Sequence, residues 1–558
     1  MYCYNYKDLQ ASTKTQKGKE YIEKIREIYE QKFQDKPITV LSHAYAKLYY
    51  QTGNRQKYQD GYFDRRQRLE LLQILAVSDD SYLEPLEEII SAICDEYTWA
   101  LPAHNLIKEE NIFDPTVIDL NASETGFALA ETYYVLGEKL SNDIKNRIKV
   151  SLEQKIVKNY ESRTFVFDGL HNNWAAVCAA GVGGVYLYLF PERFALVETR
   201  IFTTLANYLD SIDEEGYCAE GMGYWAYGFG YFCVFFDVYH NITGKWHPLL
   251  DLEKVRNATK YYNNANLGGG EFLPFADGGV RQVKVDPHII YAVKNLFPND
   301  FVIADELPIN APTRTLGFRS VLGRSKYLPE ARVGGDTVFY TNNQVFIHKN
   351  KNYSFTAKGG CNHEPHGHLC VGVFQICKDG KRLICDPGAG EYTYAYFKVW
   401  DDSYEGRYGE KIFVCSSLAH SVPIVNGKPQ PFNLKNDKAE LIERTNDCFK
   451  IDISKVYGEK LDSLVVTYKM LENSVEVSYE CKGVENRVAF RFVSDYQAKI
   501  DGESVSIEGM SIENSLGLIP KASVKEYSSH YCEPTNAYLL DYEVAGQKDI
   551  NITFTFNF

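Results

Sequence analysis

Thr337-Val338-Phe339-Tyr340-Thr341-Asn342-Asn343-Gln344-Val345-Phe346-Ile347-His348-Lys349 divides this sequence into two kinds of pattern. Two short runs rich in β-branched and aromatic residues flank an Asn-Asn turn, which predicts a β-hairpin. Downstream the same signal recurs. Val371 to Cys377 leads through Asp379-Gly380 into Lys381 to Asp386, and Leu464 to Met470 leads through Glu472-Asn473-Ser474 into Val475 to Cys481. The chain ends in a strand-like run, Ile550 to Phe558. Strands at such short spacing predict antiparallel sheets packed as a sandwich.

Upstream the period changes. From Lys17 to Phe33, Tyr21, Ile22, Ile25, Ile28, Tyr29 and Phe33 fall on one helical stripe. Similar stripes recur at about 40–52, 68–78, 82–97, 115–137, 140–158, 172–190, 193–210, 223–240 and 249–263, with short polar or Gly/Pro breaks between them. Helices first and strands second predict an α+β protein of two large domains, helical over 1–315 and antiparallel sheet over 316–558, with a sub-boundary near 450–460. No internal repeat or low-complexity segment stands out.

Composition narrows the function. At 558 residues and 45% hydrophobic content the chain can bury more than one core. A net charge of −14 excludes a general nucleic-acid binder, which needs a broad basic face. No apolar stretch has the length of a bilayer span, so no membrane partner is expected. The N-terminus lacks a signal-peptide core, and 13 scattered cysteines without CxxC spacing fit reduced thiols, so a cytoplasmic enzyme is the expectation. The 42 tyrosines suit a carbohydrate surface as well as they suit ordinary packing.

Three segments carry candidate chemistry. In Asp168-Gly169-Leu170-His171-Asn172-Asn173-Trp174 a His and two Asn precede a helix N-terminus, where amide donors favour an anion; N-capping is the plainer reading. In Glu220-Gly221-Met222-Gly223-Tyr224-Trp225-Ala226-Tyr227 two glycines open a turn before an aromatic helix, on which Tyr224 and Tyr227 share a face. The third is Gly359-Gly360-Cys361-Asn362-His363-Glu364-Pro365-His366-Gly367-His368-Leu369-Cys370-Val371-Gly372, which holds three of the chain's 12 histidines. If extended, it sends His366 and His368 to one side. With Asp386 and His420 the His residues match the N/O ligand set of zinc, or else form a metal-free His–Asp network.

Together, in this order, the three segments resemble the heparinase II/III-like polysaccharide lyases. The resemblance implies an N-terminal (α/α) toroid followed by an antiparallel β-sandwich, and an enzyme that cleaves an acidic glycan. His171-Asn172-Asn173-Trp174 looks like the family's Asn/His segment, Glu220 to Tyr224 like its Glu-Gly-x-x-Tyr segment, and Glu364 to Gly372 like its His-Asn-His-x-Asp-Val-Gly signature. Carried over by position, His171, Asn173, Tyr224 and His366 are catalytic, and His368, Asp386 and His420 bind a structural zinc. Asn172, His104, Trp174, Tyr227 and Arg407 would contact substrate. Trp99, Pro102, Asp119 and Glu124 look similar to the cleft-side segment of glycosaminoglycan-active relatives. Two departures stand out: Gly367 replaces the family's Asn, and Cys370 its Asp, whose loss threatens the orientation of the metal ligands.

A lyase of this kind eliminates across C4–C5 of a uronate. The substrate carboxylate must be neutralised, which suits Asn173 or Asn172 with His366, while Tyr224 and His171 supply base and acid. Glycosaminoglycan oligosaccharides are the expected substrate. Alginate or another uronate glycan, and a non-catalytic glycan binder, are the alternatives. A hydrolase would need two carboxylates, for which Asp213, Glu215, Glu220 and Asp277 are available. Arg281, Arg319 and Arg407 are the expected local cations.

Overall fold

The computed structural model describes residues 5–107, 112–278, 285–304, 306–309, 316–330, 337–364, 366–393, 396, 412–431 and 438–558. The chain forms two compact units. One comprises Met1–Gly216, Tyr224–Lys260 and Val285–Arg332; the other comprises Tyr217–Gly223, Tyr261–Lys284 and Val333–Phe558.

The first unit is helical. Every expected stripe has its helix, among them Gln16–Lys32, Gln56–Ser78, Leu120–Leu136, Asn173–Leu189 and Met222–Thr243. Three further helices, Tyr6–Thr13, Pro287–Leu296 and Phe318–Lys326, lie outside the expected stripes. Small residues set the spacing of the central pair. Helix Asn173–Leu189 carries Ala175, Ala176, Ala179, Ala180, Gly181 and Gly184, so Leu120–Leu136 approaches it closely. A Cβ on Gly181 would meet the Ser123 carbonyl at 2.7 Å, and one on Gly184 would run into the Phe127 ring. Buried ion pairs cross the unit: Arg66 clasps Glu96, and Arg319 clasps Glu131. Arg319, expected as a local cation for the substrate, is therefore fully buried and committed to Glu131. No single helix among the described residues is long and apolar enough to cross a membrane.

The second unit is antiparallel. A five-stranded sheet runs in chain order through Thr337–Tyr340, Val345–Lys349, Ser354–Lys358, Phe374–Lys378 and Lys381–Ile384. The opening hairpin pairs Tyr340 with Val345 and Thr337 with His348. An eight-stranded sheet contains Ser463–Met470, Ser474–Lys482 and Ile550–Asn557, and a four-stranded sheet is built around Arg487–Ser494 and Pro534–Ala545. Ser463–Met470 alternates buried and open positions, as one covered face requires. Ser354–Lys358 is buried at all five positions. Phe346 stacks on Phe449 at 5.5 Å, and Phe374 meets Tyr468 and Phe556, so aromatic rings from the two larger sheets fill one core.

The division at 332/333 differs from the single boundary expected at 315/316, because two earlier segments are bound into the sheet unit. Tyr217 and Tyr261 pack on Tyr340, Lys349 donates to the Asn263 carbonyl at 2.9 Å, and Ser354 donates to the Leu267 carbonyl at 2.8 Å. Residues 454–460 form a single 3-10 turn. Among the described residues the cysteines are free, and most are buried.

Candidate active site and metal site

In the helical unit, Asn172 caps helix Asn173–Leu189, accepting from the Trp174 N–H at 3.1 Å. That is the capping role, and it places Asn173 in the buried first turn. His171, 57% exposed at its side chain, sets Nδ1 2.8 Å from Asp210. His104 does the same with Asp119 at 2.8 Å, and its ring meets Trp174 edge-on at 4.9 Å. Two expected substrate contacts are thus neighbours. Asp119 also caps helix Leu120–Leu136 through the Ala122 N–H, so the His104 partner is fixed by the fold. Trp99 and Pro102 are buried, and the Trp99 indole donates to the Ile93 carbonyl. On helix Met222–Thr243, Tyr224 and Tyr227 are both half-buried. Tyr227 and Tyr231 donate to Glu124, at 3.2 and 2.6 Å.

In the sheet unit, residues 362–364 and 366–370 belong to no strand, where an extended strand was expected. His366 sits in the left-handed region, φ 54°, and the Gly367 N–H closes the turn onto the Glu364 carbonyl at 2.9 Å. Three anchors hold it. Lys358 and Glu364 form a buried ion pair, Asn343 donates to Glu364, and buried Asn362 ties the Cys370 N–H to Gln430.

The two imidazoles nonetheless converge, on a carboxylate that no local pattern announces. His366 Nδ1 lies 2.9 Å from Asp277 Oδ2, and His368 Nε2 lies 2.8 Å from Asp277 Oδ1. The Tyr396 hydroxyl donates to the same Oδ1, and the Asp277 N–H donates to the His366 carbonyl at 3.1 Å. A carboxylate accepts only, so each of these ring nitrogens carries the proton. Glu220, just before the aromatic helix, accepts from the Gly278 N–H through its own carbonyl. Burial raises its carboxyl pKa, His366 opposes that, and Asp277 adds to it.

Behind His368 lies the expected ligand trio. His368 Nδ1, Asp386 Oδ2 and His420 Nδ1 lie within 4.8 Å of one another, and all three atoms are buried without a properly directed hydrogen bond. The opposite atom of each residue is occupied. His368 Nε2 holds Asp277, His420 Nε2 donates to the Val414 carbonyl at 2.9 Å, and Asp386 Oδ1 accepts from the Gly388 N–H at 2.9 Å. His420 Nδ1 and Asp386 Oδ2 face each other at 3.0 Å, so a cation, either a proton or a metal ion, must lie between these lone pairs. Two imidazole nitrogens, one carboxylate oxygen and outer partners on every ligand fit a divalent ion of zinc's kind.

Burial opposes a charge on His368, but Cys415 and Asp277 outweigh it and hold its pKa up to about 10. Burial likewise raises Asp386, yet His420 and His368 keep its carboxyl below the ordinary range. Cys370, where the family has an acid, is a buried thiol pushed up to about 12. The carboxylate that meets His368 is Asp277, at Nε2. Arg281 and Arg407 lie outside the described residues.

No family model matches the sequence, and no curated protein does. Solved structures do match. A heparinase III covers 98% of this chain and 91% of its own at a TM-score of 0.60 and 10% identity. A mutant heparan sulfate lyase from Pedobacter heparinus covers 96% and 87% at 0.61 and 12%. The Streptomyces coelicolor A3 chondroitin AC lyase in complex with chondroitin sulphate covers 99% and 82% at 0.56 and 10%. The chain has the fold of the heparinase-like lyases. Its helical unit is the toroid of that lyase fold and its sheet unit the β-sandwich, as the sequence led one to expect.

Of the catalytic residues expected from sequence, the lyase fold carries His171, Asn173 and Tyr224 on the helical unit and His366 on the sandwich. Sequence reasoning missed Asp277 in this role, offering it only as a carboxylate for hydrolysis, and missed Tyr396. Asp277 is 89 residues from His366, and only its place in a Gly-rich stretch, Ala276-Asp277-Gly278-Gly279, hints at an unusual backbone.

Proposed function

We propose that the protein is a polysaccharide lyase that cleaves uronate-containing glycans by β-elimination, leaving a 4,5-unsaturated uronate, with glycosaminoglycan oligosaccharides as the substrate class. The lyase fold supports the class of reaction. The observation that carries the site is the convergence of His366 Nδ1 and His368 Nε2 on the one buried carboxylate of Asp277, at 2.9 and 2.8 Å.

In the elimination, the C5 proton becomes acidic only when the neighbouring carboxylate is neutralised. Asn173 and His366 supply that neutralising pair, with Asn172, next to Asn173 in sequence, as the alternative amide. Tyr224 removes the C5 proton or returns one to the departing O4 oxygen. His171, oriented by Asp210, serves as partner where the proton and leaving group lie on opposite faces of the ring. Trp174, His104 and Tyr227 line the sugar path. Zinc held by His368, Asp386 and His420 would act structurally, fixing the turn that carries His366.

The test is a panel of heparan, chondroitin, dermatan, hyaluronan and alginate oligosaccharides, read by ultraviolet absorbance. An unsaturated product on at least one uronate glycan is expected. Reducing ends without that absorbance would mean hydrolysis, and binding without any new ends would mean a glycan-binding protein; either outcome sinks the lyase reading.

A further inference from the structure

We propose that Asp277 is a positioning residue that serves the two histidines at once, fixing the tautomer and ring setting of His366 and those of His368 beside the metal site. The role given to His366 rests on the lyase reading above; the role toward His368 does not.

The geometry leaves little choice. Asp277 is fully buried, and its two oxygens divide the histidines between them, Oδ2 for His366 and Oδ1 for His368. Both contacts fall within ordinary charge-assisted hydrogen-bond range, and a third donor, Tyr396, fills Oδ1. The backbone is pinned as well. Asp277 N–H holds the His366 carbonyl, the next N–H, of Gly278, holds the Glu220 carbonyl, and the Gly278 carbonyl accepts from Gly223. The carboxylate can neither rotate nor retreat.

With Nδ1 on the carboxylate, the His366 ring is set in one tautomer and one orientation. With Nε2 on the same carboxylate, the His368 nitrogen left over is the buried Nδ1, and His368 groups with Asp386 and His420. The two rings thus meet one anion through different nitrogens. A change in charge or position at either ring is felt by the other through a single rigid group, so occupancy of the metal site and the setting of His366 are linked.

The experiment compares the wild-type protein with Asp277→Asn, an isosteric change that keeps one acceptor and replaces the other with a donor. One ring must then give up its tautomer or its hydrogen bond. Zinc affinity of the metal-stripped protein is expected to fall about 10- to 100-fold, as for lost outer partners of metal-bound His. At saturating zinc, kcat is expected to remain down by about 100-fold or more with KM little changed, since a wrong tautomer persists when geometry survives. His420→Ala, which removes a metal ligand only, should lose zinc. Wild-type zinc affinity in Asp277→Asn, or full recovery of kcat on adding zinc, overturns the proposal.

Should Asp277→Asn fail to fold, the wild-type protein answers the question. Histidine-selective 15N labelling, with His366→Ala and His368→Ala for assignment, should show a proton on Nδ1 of His366 and on Nε2 of His368. The His366 signals should move when zinc is added. A neutral His366 protonated on Nε2 alone, or His366 signals indifferent to zinc, overturns the proposal. If no uronate glycan is cleaved but the tautomers and the zinc response are as stated, the lyase reading fails and the Asp277 assignment stands.

Discussion

Tyr224 and Tyr227 lie three residues apart on one helical face, and the sequence reading gives Tyr224 the catalytic role and Tyr227 a substrate contact. The fold separates them. Tyr227 donates to the buried Glu124, which Tyr231 also engages, so its proton is tied to a carboxylate. In the proposed mechanism the proton carrier is Tyr224. Replacing it with Phe should cut product formation by roughly 100- to 10,000-fold, the range for a lost acid–base group, with the circular dichroism spectrum unchanged. Turnover near wild type would transfer the role to Tyr227. Individual histidines were legible in the sequence because their spacing is local and the type is rare. Asp277 and Tyr396 were not, because each meets His366 or His368 across long stretches of chain, and no periodicity encodes such an encounter.

At the scale of elements, the stripes and hairpins were plain because each is set by neighbours. A 3.6-residue period needs only one buried face, and Asp379-Gly380 supplies its own turn, with φ 50° and 72°. The turn at 362–370 escaped this logic. Alternating side chains there suggested a strand, but the segment is held by partners far away in sequence, and the left-handed His366 breaks the alternation. A nearer anchor is Lys358, fully buried with an ammonium raised above its ordinary pKa; burial works against the charge, and Glu364 outweighs it. Removing Glu364 leaves that charge buried and unpaired. Glu364→Ala should therefore destabilise the sandwich unit by about 3–5 kcal/mol in urea unfolding, the cost of breaking a buried pair from one side. A loss below about 1 kcal/mol would show that the pair does not organise the turn.

For the molecule as a whole, the helix-then-sheet order was legible, while the packing of Tyr217–Gly223 and Tyr261–Lys284 into a unit that lies mostly downstream was not. Net charge acts at this scale too. A chain carrying −14 repels a long polyanion more than a short one, and the repulsion reaches about 30 Å at 0.01 M salt but only about 10 Å at 0.1 M. The ratio of kcat/KM on polymer to that on a tetrasaccharide should accordingly rise at least about twofold between those two salt concentrations. A ratio that falls would mean that local cations, not the overall field, govern capture of the chain.

Gly367 carries a consequence for how this sequence can vary. A Cβ there would lie 2.8 Å from the Glu364 carbonyl, the same oxygen that its own N–H bonds, and Glu364 is in turn held by Lys358. An asparagine restored at 367 has no room until the carbonyl shifts, and the carbonyl is held in place while the ion pair stands. Positions 358, 364 and 367 therefore form one epistatic block. A single change to Asn at 367 should be a dead end, whereas a library that randomises the three positions together should yield folded variants with asparagine at 367.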